Sequence, residues 1–262
     1  MKKIILVLLA ISSYSFADNI CAPDSKRNDI GQSVKWYRIS AEKNALYHQA
    51  FSFGTIYVEN MVKTKKLKAK TWGVVLDIDE TTLDNSWYFK DCEDLASNES
   101  DFSHYVANPQ KSTALPGVKD FVAKVHKLGG YVSLVSNRDG SFTDSSGSVL
   151  NTTIANLKAE GIYFDQVVLA NRRDSETPSD KNPRFNAINT GNYDSRQMVW
   201  SNKLPKHTVV AYFGDNIQDF PVFKQAKMEE LDINDATYNK FGNGYFIMPN
   251  PMYGSWENIP IK

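Results

Sequence analysis

The chain predicts an α/β fold built on a mostly parallel sheet covered by helices on both faces. Three observations carry this. Short apolar runs recur at 73–79, 131–135, 166–170, 208–213 and 244–248. Segments with helical spacing lie between several of them. Polar clusters fall where three of the runs end: Asp77 and Asp79, then Ser136-Asn137-Arg138, then Gly214-Asp215-Asn216. Strand–helix alternation implies βαβ units and a parallel sheet. Such sheets bind ligands beyond the carboxyl ends of their strands.

The elements follow in order. Lys2 and Lys3 precede an apolar run from Ile4 to Ile11, and Ser15 and Ala17 suit cleavage after Ala17. That run is well short of the ~20 residues of a membrane span, so residues 1–17 read as a signal peptide. Asp18, Asn19 and Ile20 precede Cys21 where a lipid-modified cysteine needs small residues. The expectation is a soluble exported protein, periplasmic or secreted. In an oxidising compartment Cys21 and Cys92 either pair or remain two separate thiols.

Residues 18–70 form an N-terminal segment, largely helical over 32–69. Leu46, Ala50, Phe53, Tyr57 and Met61 recur at steps of four and three, which predicts the buried face of a helix. Lys63, Lys65, Lys66, Lys68 and Lys70 read as its solvated end, complementing the dipole. From Trp72 the texture changes, and 71–262 reads as the core domain. Gly73-Val74-Val75-Leu76-Asp77-Ile78-Asp79 is too short for a helix and is its first strand. Residues 85–115 are irregular, polar and aromatic, and read as an insertion. Pro116-Gly117 opens a helix carrying Val118, Phe121, Val122, Val125 and Leu128, which Gly129-Gly130 ends. Leu150, Ile154 and Leu157 mark a further helix, ended near Gly161.

Composition excludes several classes. With 262 residues and 42% hydrophobic content, the chain can build one core and a small cap. Thirty basic residues balance thirty acidic ones, unlike a nucleic-acid binder driven by phosphate contacts. Two cysteines make neither a disulfide scaffold nor a four-cysteine zinc site. No segment after the leader is apolar enough to span a membrane. His48, His104, His126 and His207 are scattered and lie in no Arg-His-Gly motif. Neither a Gly-x-Ser-x-Gly elbow nor a P-loop occurs.

The chemistry starts from Asp77 and Asp79. Residues two apart in an extended chain point the same way. Two carboxylates facing one space repel and call for a cation or a shared proton. Asp215 adds a third. Oxygen-rich ligands with room for water suit Mg²⁺. Structural zinc needs a Cys/His cluster, which is absent from the sequence.

The full string Leu76-Asp77-Ile78-Asp79-Glu80-Thr81-Thr82-Leu83-Asp84-Asn85 resembles motif I of the haloacid-dehalogenase (HAD) phosphohydrolases. It is most similar to the bacterial class C acid phosphatases, the secreted or lipoprotein nucleotidase branch. Gly214-Asp215-Asn216-Ile217-Gln218-Asp219-Phe220 and the stretch Met248–Glu257 match as well, and the resemblance runs from about Trp36 to Trp256.

The resemblance implies a HAD-type Rossmann-like core with a small helical cap, drawn partly from 18–70 and partly from the insertion around 85–115. It implies a Mg²⁺-dependent phosphomonoesterase acting on nucleoside 5′-monophosphates and other small phosphomonoesters through an aspartyl-phosphate. Asp77 would be the nucleophile and Asp79 the general acid and base. The metal would lie on Asp77, Asp215 and Asp79, the last through its backbone carbonyl, with Asp219 in support. Ser136, Asn137 and Lys181 would bind the phosphate. Trp87, Tyr88, Phe102, Tyr105 and Tyr253 are candidates to stack on a base; core packing is the ordinary fate of each. The partner would be a small molecule, and the resemblance extends to a homodimer. A HAD phosphotransferase, or a non-catalytic binding or storage protein of the same fold, is the alternative reading.

Overall fold

The computed structural model describes residues 30–91, 99–108 and 112–260. The leader read at 1–17 and both cysteines, Cys21 and Cys92, lie outside the described residues. In chain order the elements are α1 (Gln32–Ile39), α2 (Ala41–Lys65), β1 (Trp72–Leu76), β2 (Leu83–Asp84), α3 (Ser86–Asp91) and α4 (Glu99–Ala107). Then come β3 (Thr113–Ala114), α5 (Val118–Lys127), β4 (Tyr131–Asp139), α6 (Val149–Ala159), β5 (Gln166–Ala170) and α7 (Asn182–Thr190). The last are β6 (Met198–Trp200), β7 (Thr208–Gly214), α8 (Gln225–Met228) and β8 (Tyr245–Ile247).

The main sheet has the order β6-β5-β4-β1-β7-β8. All its neighbours pair in parallel except β6, which runs antiparallel along β5. This is the α/β class expected, with β1 at the centre. Alternation sends successive side chains to opposite faces. Val74, Leu76, Val132, Leu134, Val167 and Leu169 join one core, under α2, α5 and α6. Val75, Val135 and Val168 join the other, with Phe185 and Ile188 of α7. Burial on both faces is why these strands read as continuous apolar runs.

Two sequence expectations are corrected. The first is the phase of α2. Its buried residues are Lys43, Tyr47, Phe51, Gly54 and Val58, whereas Leu46 and Phe53 face solvent at 41% and 52% exposure. The close approach of Gly54 to the sheet sets the phase. A Cβ there would lie 2.5 Å from Phe213 Cε1. Only a glycine lets Phe213 slide under the helix and stack on Phe51 at 5.6 Å between ring centroids.

The second concerns 85–115, which is not irregular throughout but contains α3 and α4. Val34 of α1 with Tyr88 and Phe89 of α3 makes a small separate apolar cluster. Phe102, Tyr105, Met252 and Tyr253 pack against it. The lysine run does end α2: Lys66 caps it in the left-handed region, and the lysines from 63 to 70 are exposed.

Candidate active site

Strand β1 ends at Leu76, one residue before Asp77, so Asp77–Asp79 belong to the loop that follows it. That loop is tight. Leu83 N donates to Ile78 O (2.8 Å), Glu80 N donates to Leu83 O (2.9 Å), and Glu80 takes a left-handed φ of 51°. The turn is braced from inside. Thr82 Oγ1 donates to Asp77 O (2.6 Å), and the buried Glu80 carboxylate accepts from Asn85 N (2.7 Å) and from the Tyr253 hydroxyl.

Strand β7, the neighbour of β1, delivers Asp215 just past its last residue, Gly214. Gly214 carries a second close approach: a Cβ there would sit 2.2 Å from Asp219 Cβ. Its absence lets the turn 216–219 fold back, with Asn216 and Asp219 capping each other. The result is that one oxygen from each of Asp77, Asp215 and Asp219 lies within 4.8 Å of the others. Thr81 Oγ1 and Asn250 Nδ2 hold Asp215, at 3.1 and 2.8 Å.

Lys181, immediately before α7, reaches into this cluster. Its ammonium bonds Asp77 and lies 2.7 Å from Asp219 Oδ1. Desolvation pushes the Asp77 carboxyl well above its usual range; Lys181 pulls it back, and Asp219, Asp215 and Asp79 push again. Asp215 is pushed up to about 8, first by desolvation, then by Asp219 and Glu80. Burial opposes the charge on Lys181, yet Asp219 and Asp77 hold its pKa above the ordinary lysine value. Ionised together, the three carboxylates would outweigh the one ammonium, and their mutual repulsion helps push Asp77 and Asp215 up. Hard oxygen donors gathered this closely fit a divalent cation such as Mg²⁺.

The Asp79 side chain turns away from that cluster. Its Oδ1 accepts from Asn85 Nδ2 (2.8 Å) and Arg138 Nε (2.9 Å), and its Oδ2 from Ser136 Oγ (2.9 Å). Arg138 Nη2 adds an ion pair at 2.8 Å. The Asp79 and Asp77 carboxylates therefore do not face one space, although sequence spacing puts both on one face. The loop has left strand geometry by Asp77, and the alternation rule lapses with it.

Arg138 arrives through a bulge. Strand β4 pairs Ser136 with Leu169 and then Asp139 with Ala170, so Asn137 and Arg138 are extra residues. Bulges re-aim side chains at sites of this kind. Arg138 is fully buried and also donates to Thr153 Oγ1 (2.9 Å). Sequence reasoning notes the Ser136-Asn137-Arg138 cluster but assigns Arg138 no role, and it gives none to Glu80 or Arg184. Only burial marks them out.

A cavity of about 790 Å³ opens over these groups. Asp77, Asp79, Ser136, Asn137, Lys181, Asp215 and Asp219 all line it, as do Tyr88, Phe89, Phe102 and Tyr253. Phe89 and Tyr253 stack at 4.5 Å between centroids. Trp87 is not among the described residues that line the cavity. It is 48% exposed beneath the Arg38 guanidinium, 3.6 Å from the ring centroid. From α3 the cavity takes Tyr88 and Phe89. Tyr105 packs against Tyr88 without lining the cavity.

Comparison with known proteins adds two findings. The family described as HAD superfamily, subfamily IIIB (Acid phosphatase) matches residues 12–256. The chain is also similar to solved structures of a class C acid phosphatase from Bacillus anthracis, one of them with tungstate bound. Identity is 27%, the TM-score 0.66, and the match covers 86% of this chain and 85% of that one.

Proposed function

The chain belongs to the HAD superfamily, subfamily IIIB acid phosphatases, and from that membership we propose a Mg²⁺-dependent phosphomonoesterase that cleaves nucleoside 5′-monophosphates and related small esters. The observation that carries this is the grouping of Asp77, Asp215, Asp219 and Lys181 on the floor of a cavity with one aromatic wall. The relative with bound tungstate accepts a tetrahedral oxyanion of phosphate's shape.

Each residue has a task. Asp77 attacks phosphorus, and the bond from phosphorus to the leaving oxygen breaks as an aspartyl-phosphate forms. Asp79 gives the leaving alkoxide its proton, then takes one from the water that releases phosphate. To do so it turns one oxygen out of the clamp made by Arg138, Ser136 and Asn85. Ser136 and Asn137 offer hydrogen bonds to phosphate oxygens. Lys181 offsets charge on the transferring group. Mg²⁺, held by Asp77, Asp215 and Asp219 with the backbone carbonyl of Asp79, would neutralise negative charge shared by carboxylates and phosphate. The wall of Tyr88, Phe89, Phe102 and Tyr253 suits a flat leaving group, which favours nucleosides over sugars. The leader at 1–17 supports work in the periplasm or outside the cell, where phosphorylated nucleotides that cross membranes poorly are dephosphorylated.

A substrate panel tests the proposal, run with EDTA and with Mg²⁺ restored. Nucleoside 5′-monophosphates should turn over faster than sugar phosphates, and EDTA should abolish the activity. Full activity in metal-free buffer overturns the metal assignment. Equal rates for sugar and nucleoside esters overturn the substrate assignment.

A further inference from the structure

Arg184 sits in the first turn of α7, three residues past Lys181, and is only 1% exposed. Its Nη1 donates to Pro178 O (3.0 Å) and its Nη2 to Asn137 Oδ1, while Nε has no partner. Among the described residues no carboxylate forms an ion pair with it. That is unusual, because a buried guanidinium without a counter-charge is costly. Burial lowers its pKa only to about 10, so it stays charged at neutral pH. Nearby carboxylates are engaged elsewhere: Asp180 by Lys224, and Asp77 and Asp219 by Lys181.

Both groups that Arg184 touches lead to the cavity. Pro178 precedes Ser179, and Ser179 and Asn137 line the wall. Asn137 is gripped twice, since its backbone oxygen also accepts from Arg172 Nε (3.4 Å). With Oδ1 taken by Arg184, the donor end of the Asn137 amide is what remains to offer. Its Nδ2 makes only a long bond to Ser179 O (3.3 Å) and carries a second hydrogen. The charges agree with this geometry. Asp79 and Arg138 neutralise each other. Asp77, Asp215 and Asp219 are balanced by Lys181 and a divalent cation. A phosphate dianion then meets Arg184 as a buried cation still lacking a carboxylate.

We propose that Arg184 is a positioning residue for the substrate's phosphoryl group, fixing the Asn137 amide donor-end inward and supplying buried positive charge behind it. This rests on the phosphatase reading above. The two are separated first. In Mg²⁺ the unaltered chain must hydrolyse nitrophenyl phosphate and be inhibited by inorganic phosphate; failure of both overturns the phosphatase reading itself.

Given that activity, Arg184→Gln should raise KM and the inhibition constant of inorganic phosphate together, by roughly tenfold, with kcat held within about threefold. Arg184→Lys keeps the charge without the planar fork and should recover part of the loss. Asn137→Ala should weaken phosphate similarly, and the double variant no more than the worse single one. An unchanged phosphate constant in Arg184→Gln, or losses that multiply in the double variant, overturns the proposal. Should Arg184→Gln not fold, Arg184→Lys with Asn137→Ala decides by the same rule: shared losses support it, and independent or absent losses overturn it.

Discussion

Asp79 illustrates what a single residue's surroundings decide. Three side chains donate to its two oxygens, and one of them, Arg138, comes from a bulge no spacing rule anticipates. The carboxylates themselves were legible, because Asp-x-Asp at a strand's end is a pattern in the chain. Arg138 and Glu80 were not, since nothing in a sequence separates a buried arginine or glutamate from the exposed ones that outnumber it. The proposed role of Asp79 predicts a dependence on the leaving group. A ribose 5′-oxygen leaves poorly without a proton, whereas nitrophenolate leaves unaided. In single-turnover bursts, Asp79→Asn should slow nucleotide cleavage ~10²–10⁴-fold and slow nitrophenyl phosphate cleavage far less. Equal burst losses would assign the proton donor to another residue.

Among the elements, five strands of the main sheet stand where short apolar runs predict them. The sixth, Met198–Trp200, is a three-residue antiparallel edge, too short to show a period. Helix α2 was legible as a helix but not in its phase. Its apolar residues come in near-adjacent pairs, Phe51 with Phe53 and Tyr57 beside Val58, so two faces satisfy a 3.6-residue repeat. The choice falls to Gly54 and Phe213, 159 residues apart in sequence, a contact that periodicity cannot see. Gly54→Ala gains up to about 1 kcal/mol of helix propensity. The added methyl nevertheless strikes Phe213, which Phe51, Phe121 and Phe246 hold in place. Overpacking of this kind costs about 1–3 kcal/mol. Urea unfolding should show a lower midpoint with an unchanged slope; a raised midpoint would mean that α2 lifts freely from the sheet.

At the scale of the whole molecule, the carboxylate cluster links stability to pH. The Asp215 pKa rises from 3.8 to about 8 on folding. A carboxyl raised in the fold contributes stability that is complete below its unfolded pKa and is lost as pH climbs through the folded value. Metal-free protein should therefore lose melting temperature between about pH 4 and 8, with no further loss from this group above that, and Mg²⁺ should restore more of it at the upper end of the window. A Mg²⁺-induced gain that is flat across this window would remove the cation from these three residues.

Tyr253 carries a consequence for the order in which the chain is made. Its hydroxyl grips Glu80 across 173 residues, and Asn250 grips Asp215 across 35. A ribosome thus delivers the loop that carries Asp77 and Glu80 well before the residues that clasp it. Until residues 250–253 have emerged, the nascent chain holds Glu80 and Asp215 without the Tyr253 and Asn250 side chains that bond them.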